Sequence, residues 1–169
     1  ARMLMKSGMP GENIILFNSR GGLHAGRSDI ENNPELYRQW ELCRTTNPDR
    51  IDAVEDAMPG KDVLIALSKP GPRTIKAEWI SKMNPGAIVF ACANPVPEIY
   101  PSAAKEAGAF IVATGRGDFP NQINNSIGFP GILKGTLLAR ARKISDEMVI
   151  CASHTLAGFA ERRGINADD

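Results

Sequence analysis

Four short apolar runs rich in β-branched residues recur along the chain, at 14–17, 63–67, 87–91 and 110–113. None of them alternates apolar with polar positions. Continuous apolar strands belong to parallel sheets covered on both faces, whereas alternating strands leave one face in water. Helical patterns occupy 49–58, 74–83 and 98–107, between the runs. One run alone fits a buried helix as well as a strand. Four of them separated by helices predict an α/β fold with a doubly wound, mostly parallel sheet.

The ends carry a different pattern. Residues 1–6 read as helix, yet no Ser, Thr, Asp or Asn precedes them to cap the first N–H groups. Ser7-Gly8 and then Pro10-Gly11 stop that helix. The expectation is a helix entered from upstream sequence. From about residue 120 the strand signals cease, and 127–144 and 145–163 read as two longer helices. Lys134, Arg140, Arg142 and Lys143 fall in the first and read as a solvated face, not an anion site. The last residues, 164–169, are polar. Gly21-Gly22 and Pro70-Gly71-Pro72 are loop punctuation inside the domain, not linkers.

Composition narrows the class. The chain has 169 residues, 43% hydrophobic and 23% charged, with a formal net charge of +1. Such a length and apolar fraction suit a domain with a sizeable core. Near-zero charge gives no electrostatic reason for a nucleic-acid or acidic-membrane partner. The longest unbroken apolar run, 87–93, is far below the roughly 20 residues that span a bilayer. Cys43, Cys92 and Cys151 are scattered, odd in number and without a CxxC pair. They read as free thiols in a reducing compartment, and the chain as cytoplasmic. His24 and His154 share no ligand spacing.

In open α/β sheets, ligands bind beyond the carboxyl ends of the strands. The segments there are Asn18-Ser19-Arg20-Gly21, Ser68-Lys69-Pro70-Gly71, Asn94-Pro95-Val96-Pro97-Glu98 and Thr114-Gly115-Arg116, and all four are expected along one edge. The dinucleotide fingerprint G-x-G-x-x-G is absent. It lies roughly 20 residues before the acidic residue that ends the second strand of such a domain. If 14–17 is that second strand, the glycine loop falls just before Ala1, and the chain is a Rossmann-type sheet lacking its first strand. Asn18 then stands where a carboxylate would bond the ribose hydroxyls. An amide there does not repel a 2′-phosphate, and Ser19 and Arg20 offer donors to one, which leans the cofactor toward NADP over NAD.

The densest polar stretch, 113–131, sets Asn121, Gln122, Asn124 and Asn125 among glycines and prolines just after a strand. Amides orient a carboxylate or hydroxyl without adding charge. Together with FACANPVPEI at 90–99, this stretch (ATGRGDFPNQINNSIGFPG) resembles the C-terminal part of the malic enzymes. DVLIALSKPG at 62–71 and the glycines from Gly21 to Arg27 resemble further segments of that family. The likeness runs over nearly the whole chain, from about 1 to 160. It implies oxidative decarboxylation of L-malate to pyruvate and CO2, with NAD or NADP and a Mg or Mn ion.

Residue by residue, the resemblance implies that Asn94 contacts the nicotinamide ribose and the substrate side. It also implies that Asn125, beside Asn124, bonds malate, and that Ser68 and Gly71 lie along the dinucleotide. It assigns no role to Lys69. The family's tyrosine acid, lysine base and acidic metal ligands lie in an upstream domain, so no catalytic or metal-binding residue is expected here. Glu98 and Asp118 are carboxylates near the right edge but poor candidates, since a hard cation wants several convergent oxygens. The expected organisation is a partial NAD(P)-binding Rossmann domain over 1–126, with C-terminal helices over 127–169 packing on it. The isolated piece should be inactive, and the complete enzyme a homo-oligomer. Two alternatives stand beside this. A lactate/malate-dehydrogenase-like protein also places Asn-Pro-Val after a strand, but needs a downstream catalytic histidine that His154, between Ser153 and Thr155, matches poorly. A non-catalytic dinucleotide-binding or assembly domain would also lack the phosphate loop and an acid/base pair.

Overall fold

The computed structural model describes residues 1–164. It divides into two compact units, Ala1–Pro59 and Gly60–Asp169. The polar end expected from 165 onward lies outside the described residues. No helix among the described residues is long and apolar enough to cross a membrane.

The first unit opens with helix α1, Arg2–Lys6, whose N-cap Ala1 makes no side-chain cap bond. Strands β1, Phe17–Asn18, and β2, Gly21–Gly22, form a two-residue antiparallel pair. Helices α2, Ser28–Glu31, α3, Tyr37–Thr45, and α4, Val54–Ala57, follow. The run 14–17 is therefore not a strand of a parallel sheet. A strand exists only through the neighbour that pairs with it, and here the Ile14 carbonyl accepts from Asn47 N–H at 3.1 Å and the Leu16 carbonyl from Leu23 N–H at 2.7 Å. Ile14 has extended backbone, but only Phe17–Asn18 enters a ladder. Residues 28–31 and 37–45 are helical where no helix was expected. A cue lay in Asn33-Pro34, since the Asn33 side chain caps the turn before α3 by accepting from Glu35 N–H at 3.0 Å. Leu36, Trp40 and Cys43 then recur at helical spacing and pack with Leu16, Leu23 and Ile30.

The second unit carries the parallel sheet. Strand β3, Val63–Ala66, helix α5, Ala77–Ile80, strand β4, Ile88–Ala91, helix α6, Pro101–Glu106, and strand β5, Ile111–Thr114, follow in turn. The order is β3-β4-β5 with both pairings parallel. Three of the four apolar runs are thus strands of one sheet, within a residue of their expected bounds. In β4, Val89 and Ala91 are wholly buried. On β3, Val63 and Ile65 stay exposed on one face, since alternate residues share a face, and Leu67 just past the strand is exposed too. Pro101 at the start of α6 has no amide to leave unpaired there.

Two helices close the described chain, α7, Phe129–Leu138, and α8, Asp146–Arg163. The expected helix 127–144 is shorter because a 3-10 turn, Asn125–Ile127, precedes it and Arg140 takes a left-handed φ of 49° after it. Ser145 caps α8 by accepting from Met148 N–H, with Asp146 and Glu147 in its first turn and Arg162 and Arg163 in its last. That charge order complements the helix dipole. Lys134, Arg140, Arg142 and Lys143 are all exposed.

The first unit depends on one buried amide. Asn47 is 1% exposed, and its Nδ2 donates to the Leu23 and Ile51 carbonyls at 3.2 and 2.8 Å. Its Oδ1 accepts from Ile51 N–H at 2.9 Å. This turn absorbs residues 47–51, which is why the helix expected over 49–58 shrinks to α4. It also sets Ile51 and Asp52 against Gly22. The Gly22 N–H donates to the Asp52 carbonyl and carboxylate, and a Cβ on Gly22 would collide with the Ile51 carbonyl. Asn47→Ala strands the buried Leu23 carbonyl and the half-buried carbonyl and amide of Ile51, and puts alanine at a φ of 51°. It should cost about 1 to 3 kcal/mol, seen as a lower melting temperature in calorimetry. An unchanged melting temperature would show that Asn47 does not hold the unit.

Candidate functional site

Parallel pairing puts the carboxyl ends of β3, β4 and β5 at one edge. Ala66, Ala91 and Thr114 stand in register there, all buried. The loops that leave this row carry Ser68, Asn94 and Gly115-Arg116 side by side. Three of the four segments expected along one edge are therefore there. The fourth, Asn18-Ser19-Arg20-Gly21, belongs to the first unit and makes the end and turn of the antiparallel β1-β2 hairpin, which is not part of this sheet.

Glu98 joins two of the loops. It is 0% exposed. Its Oε1 accepts from Ser68 N–H at 2.8 Å and from the Ser68 hydroxyl at 3.2 Å. Its Oε2 accepts from Ala93 N–H at 2.9 Å. Burial, and after it the charge of Glu98, pushes the Cys92 thiol up, the direction that keeps a thiol unreactive.

Arg116 joins the third. Its Nη1 donates to the Pro95 carbonyl, while Nε and Nη2 grip Asp118 at 2.7 and 2.6 Å. The hydrogen bond to Asp118 raises the Arg116 pKa, and its counterpart lowers that of Asp118. Beneath Asn94 lies Gly115, where a Cβ would sit 2.7 Å from Asn94 Nδ2. Only glycine lets that amide lie so close to the backbone. Asn94 itself is exposed, so a side chain open to a ligand stands on a loop gripped on both flanks.

The amide-rich stretch runs on from β5. Gln122 bridges to Thr114, and Ile123 N–H donates to the Thr114 carbonyl at 2.7 Å. Asn124 caps the following turn, its Oδ1 accepting from Ser126 N–H at 3.0 Å. Asn125 is exposed and opens that turn. The capping role thus falls to Asn124. Gly71 is half-buried in the loop that begins at Ser68.

In the first unit, Asn18 Oδ1 accepts from Arg20 N–H at 2.9 Å, and its Nδ2 donates to Gln39 at 3.3 Å. Arg20 reaches Asp29 at 3.4 Å, and Arg27 holds the same carboxylate by two bonds of 2.7 and 2.8 Å. The Arg27 hydrogen bond, above all, sets the Asp29 carboxyl well below the usual carboxylate range. Ser19 is exposed.

The described residues offer no ready set of ligands for a divalent metal. Among the described residues no group of three or more His, Cys, Asp or Glu is placed to hold one. Glu98 and Asp118 have their oxygens engaged by the partners above. His24 Nδ1 accepts from Gly26 N–H at 3.1 Å, and His154 lies exposed on α8. Glu98, Gly115 and Arg116 are the residues that sequence reasoning missed as loop supports. A glycine just past a strand is the one available cue, since it marks close backbone approach.

Comparison with known proteins identifies the family. Residues 7–168 match the family model described as "Malic enzyme, NAD binding domain". A crystal structure of malic enzyme from Entamoeba histolytica superposes with a TM-score of 0.97 at 60% identity, over 99% of this chain and 35% of that one. The NAD-dependent malic enzyme of Geobacillus stearothermophilus is 41% identical over 98% of this chain and 33% of its own. The NADP-dependent malic enzyme of Halomonas elongata is 38% identical over 94% of this chain and 36% of its own. The chain spans about a third of the length of these relatives. It belongs to the malic enzyme family and corresponds to that family's NAD-binding domain.

Proposed function

We propose that this chain holds NAD or NADP for an enzyme that oxidises and decarboxylates L-malate to pyruvate and CO2. The observation that carries the reading is the exposed Asn94, held over Gly115 at the carboxyl edge of a parallel sheet, where dinucleotides bind in such folds. The cofactor, when bound, supplies the hydride acceptor. Ser68 and Gly71 run along it, and Asn94 takes the nicotinamide ribose and the substrate side. Asn125, with Asn124 beside it, bonds malate. In the first unit Asn18, Ser19 and Arg20 serve the adenosine ribose. The acid, the base and the ligands for Mg or Mn come from another part of the protein, upstream of this chain. The complete enzyme is a cytoplasmic homo-oligomer, in keeping with the apolar surface left open at Leu137 and Leu138, 77% and 75% exposed.

The cofactor reading is NADP. Asn18 places no carboxylate against a 2′-phosphate, and Arg20 brings a cation beside it. Asp29 tempers that cation, since it already draws both Arg20 and Arg27. Asn18→Asp keeps the acceptor for Arg20 N–H, so the turn survives, while it adds charge and gives up the 3.3 Å bond that Nδ2 donates to Gln39. In the full-length enzyme it should lower kcat/KM for NADP about tenfold or more and leave NAD nearly unchanged. Equal use of both cofactors before and after the substitution would contradict the reading.

Asn125 separates a substrate role from a turn role. Losing one uncharged contact in a closed pocket costs about 1 to 3 kcal/mol, or roughly five- to 150-fold in kcat/KM. Asn125→Ala should show that loss for malate with its melting temperature intact. Asn125→Asp should be worse, because it faces a dianionic substrate. Asn124→Ala should instead lose about 1 kcal/mol of stability, the cost of a missing cap. A melting loss with unchanged kcat/KM in Asn125→Ala would remove its substrate role.

A further inference from the structure

We infer that Glu98 is a positioning residue, whose buried carboxylate sets the Ser68 loop and the Asn94 loop in one fixed relation at the carboxyl edge of the sheet. Three donors face it, two from Ser68 and one from Ala93, and both of its oxygens are used. Only a carboxylate accepts at both ends of such a side chain. The backbone of Glu98 is anchored too, its carbonyl accepting from Ile75 N–H at 3.1 Å. The residue lies in the loop between β4 and α6, so no ladder or helix accounts for its place. Its reach runs across the sheet, since Ser68 follows β3 and Ala93 follows β4.

The consequence falls on Asn94. The residue before it is tied to Glu98, the residue after it gives its carbonyl to Arg116, and Gly115 forms its floor. Glu98 is fully buried with both oxygens engaged, which leaves it no open face toward a ligand. It acts through the two loops, and the functional half of this inference rests on the reading that Asn94 meets the nicotinamide ribose. Glutamine in its place keeps the volume but turns an NH2 group toward an N–H donor at one end. One loop is then released while the other stays bonded.

Amide hydrogen exchange in the wild-type chain and in Glu98→Gln tests the clamp, and titration of the full-length protein with NAD and with NADP tests its effect. Ser68 is exposed and outside any strand, yet its wild-type amide should exchange at least about tenfold more slowly than that of Lys69. In Glu98→Gln, exchange at Ser68 or Ala93 should quicken about tenfold, with the Val89 and Val112 amides unchanged. Dissociation constants for the dinucleotide should rise about tenfold when measured well below the melting temperature of the variant. Loss of fold stability alone leaves that quantity unmoved. Fast wild-type exchange at Ser68 would overturn the clamp whether or not the variant folds. Unchanged affinity in a folded Glu98→Gln would overturn the positioning role. A wild-type protein that binds neither NAD nor NADP would instead overturn the functional reading, while slow exchange at Ser68 would still support the clamp.

Discussion

Parallel pairing places every carboxyl end of a sheet on the same edge, and the candidate site follows from that constraint. In an antiparallel arrangement the loops after β3, β4 and β5 would leave from opposite edges. Here Ala66, Ala91 and Thr114 end three strands in one row. Small residues at that row let the chain turn outward without a bulky side chain in the way. Each loop would still be free to swing by itself. Two polar side chains, Glu98 from within and Arg116 from the rim, cross from loop to loop. Hydrophobic burial builds the sheet, and directional bonds set its edge.

The first unit reaches order by another route. Its apolar cluster is small, built on Leu23, Ile30 and Cys43, and its strands are two residues long. A core of that size leaves much of the chain path to polar groups. Asn47 takes on that task, converting a would-be helical turn into a knot of side-chain bonds to backbone. Paired arginines and Asp29 add a surface network around Asn18. The Arg20 side chain is exposed, so its share of that network contributes more to orientation than to stability.

The sequence made the second unit legible where periodicity and length acted together. The runs at 63–67, 87–91 and 110–113 are strands because their apolar, β-branched residues pack inside a sheet that the same runs form. The run at 14–17 has the same composition and is not such a strand, since composition does not supply a partner. Helix bounds were legible where a cap marked them, as at Ser145, whereas α6 starts at Pro101, three residues past the expected 98. They failed at 49–58, where Asn47 outcompetes the helix for the backbone. Among site residues, Asn94 was legible as a post-strand amide and by family likeness. Glu98 was visible only as a stray carboxylate. Its partners lie 30 residues away at Ser68 and 5 away at Ala93, and no local pattern encodes a bond across a sheet.

The central claim is that the edge formed by the Ser68, Asn94 and Gly115 loops receives the dinucleotide. Hydrogen–deuterium exchange of the full-length protein, with and without saturating NADP, addresses it most directly. The account predicts new protection over 67–71, 92–98 and 114–117, with the strand interiors unchanged. Cofactor binding that protects other segments and leaves these three loops as they were would contradict it.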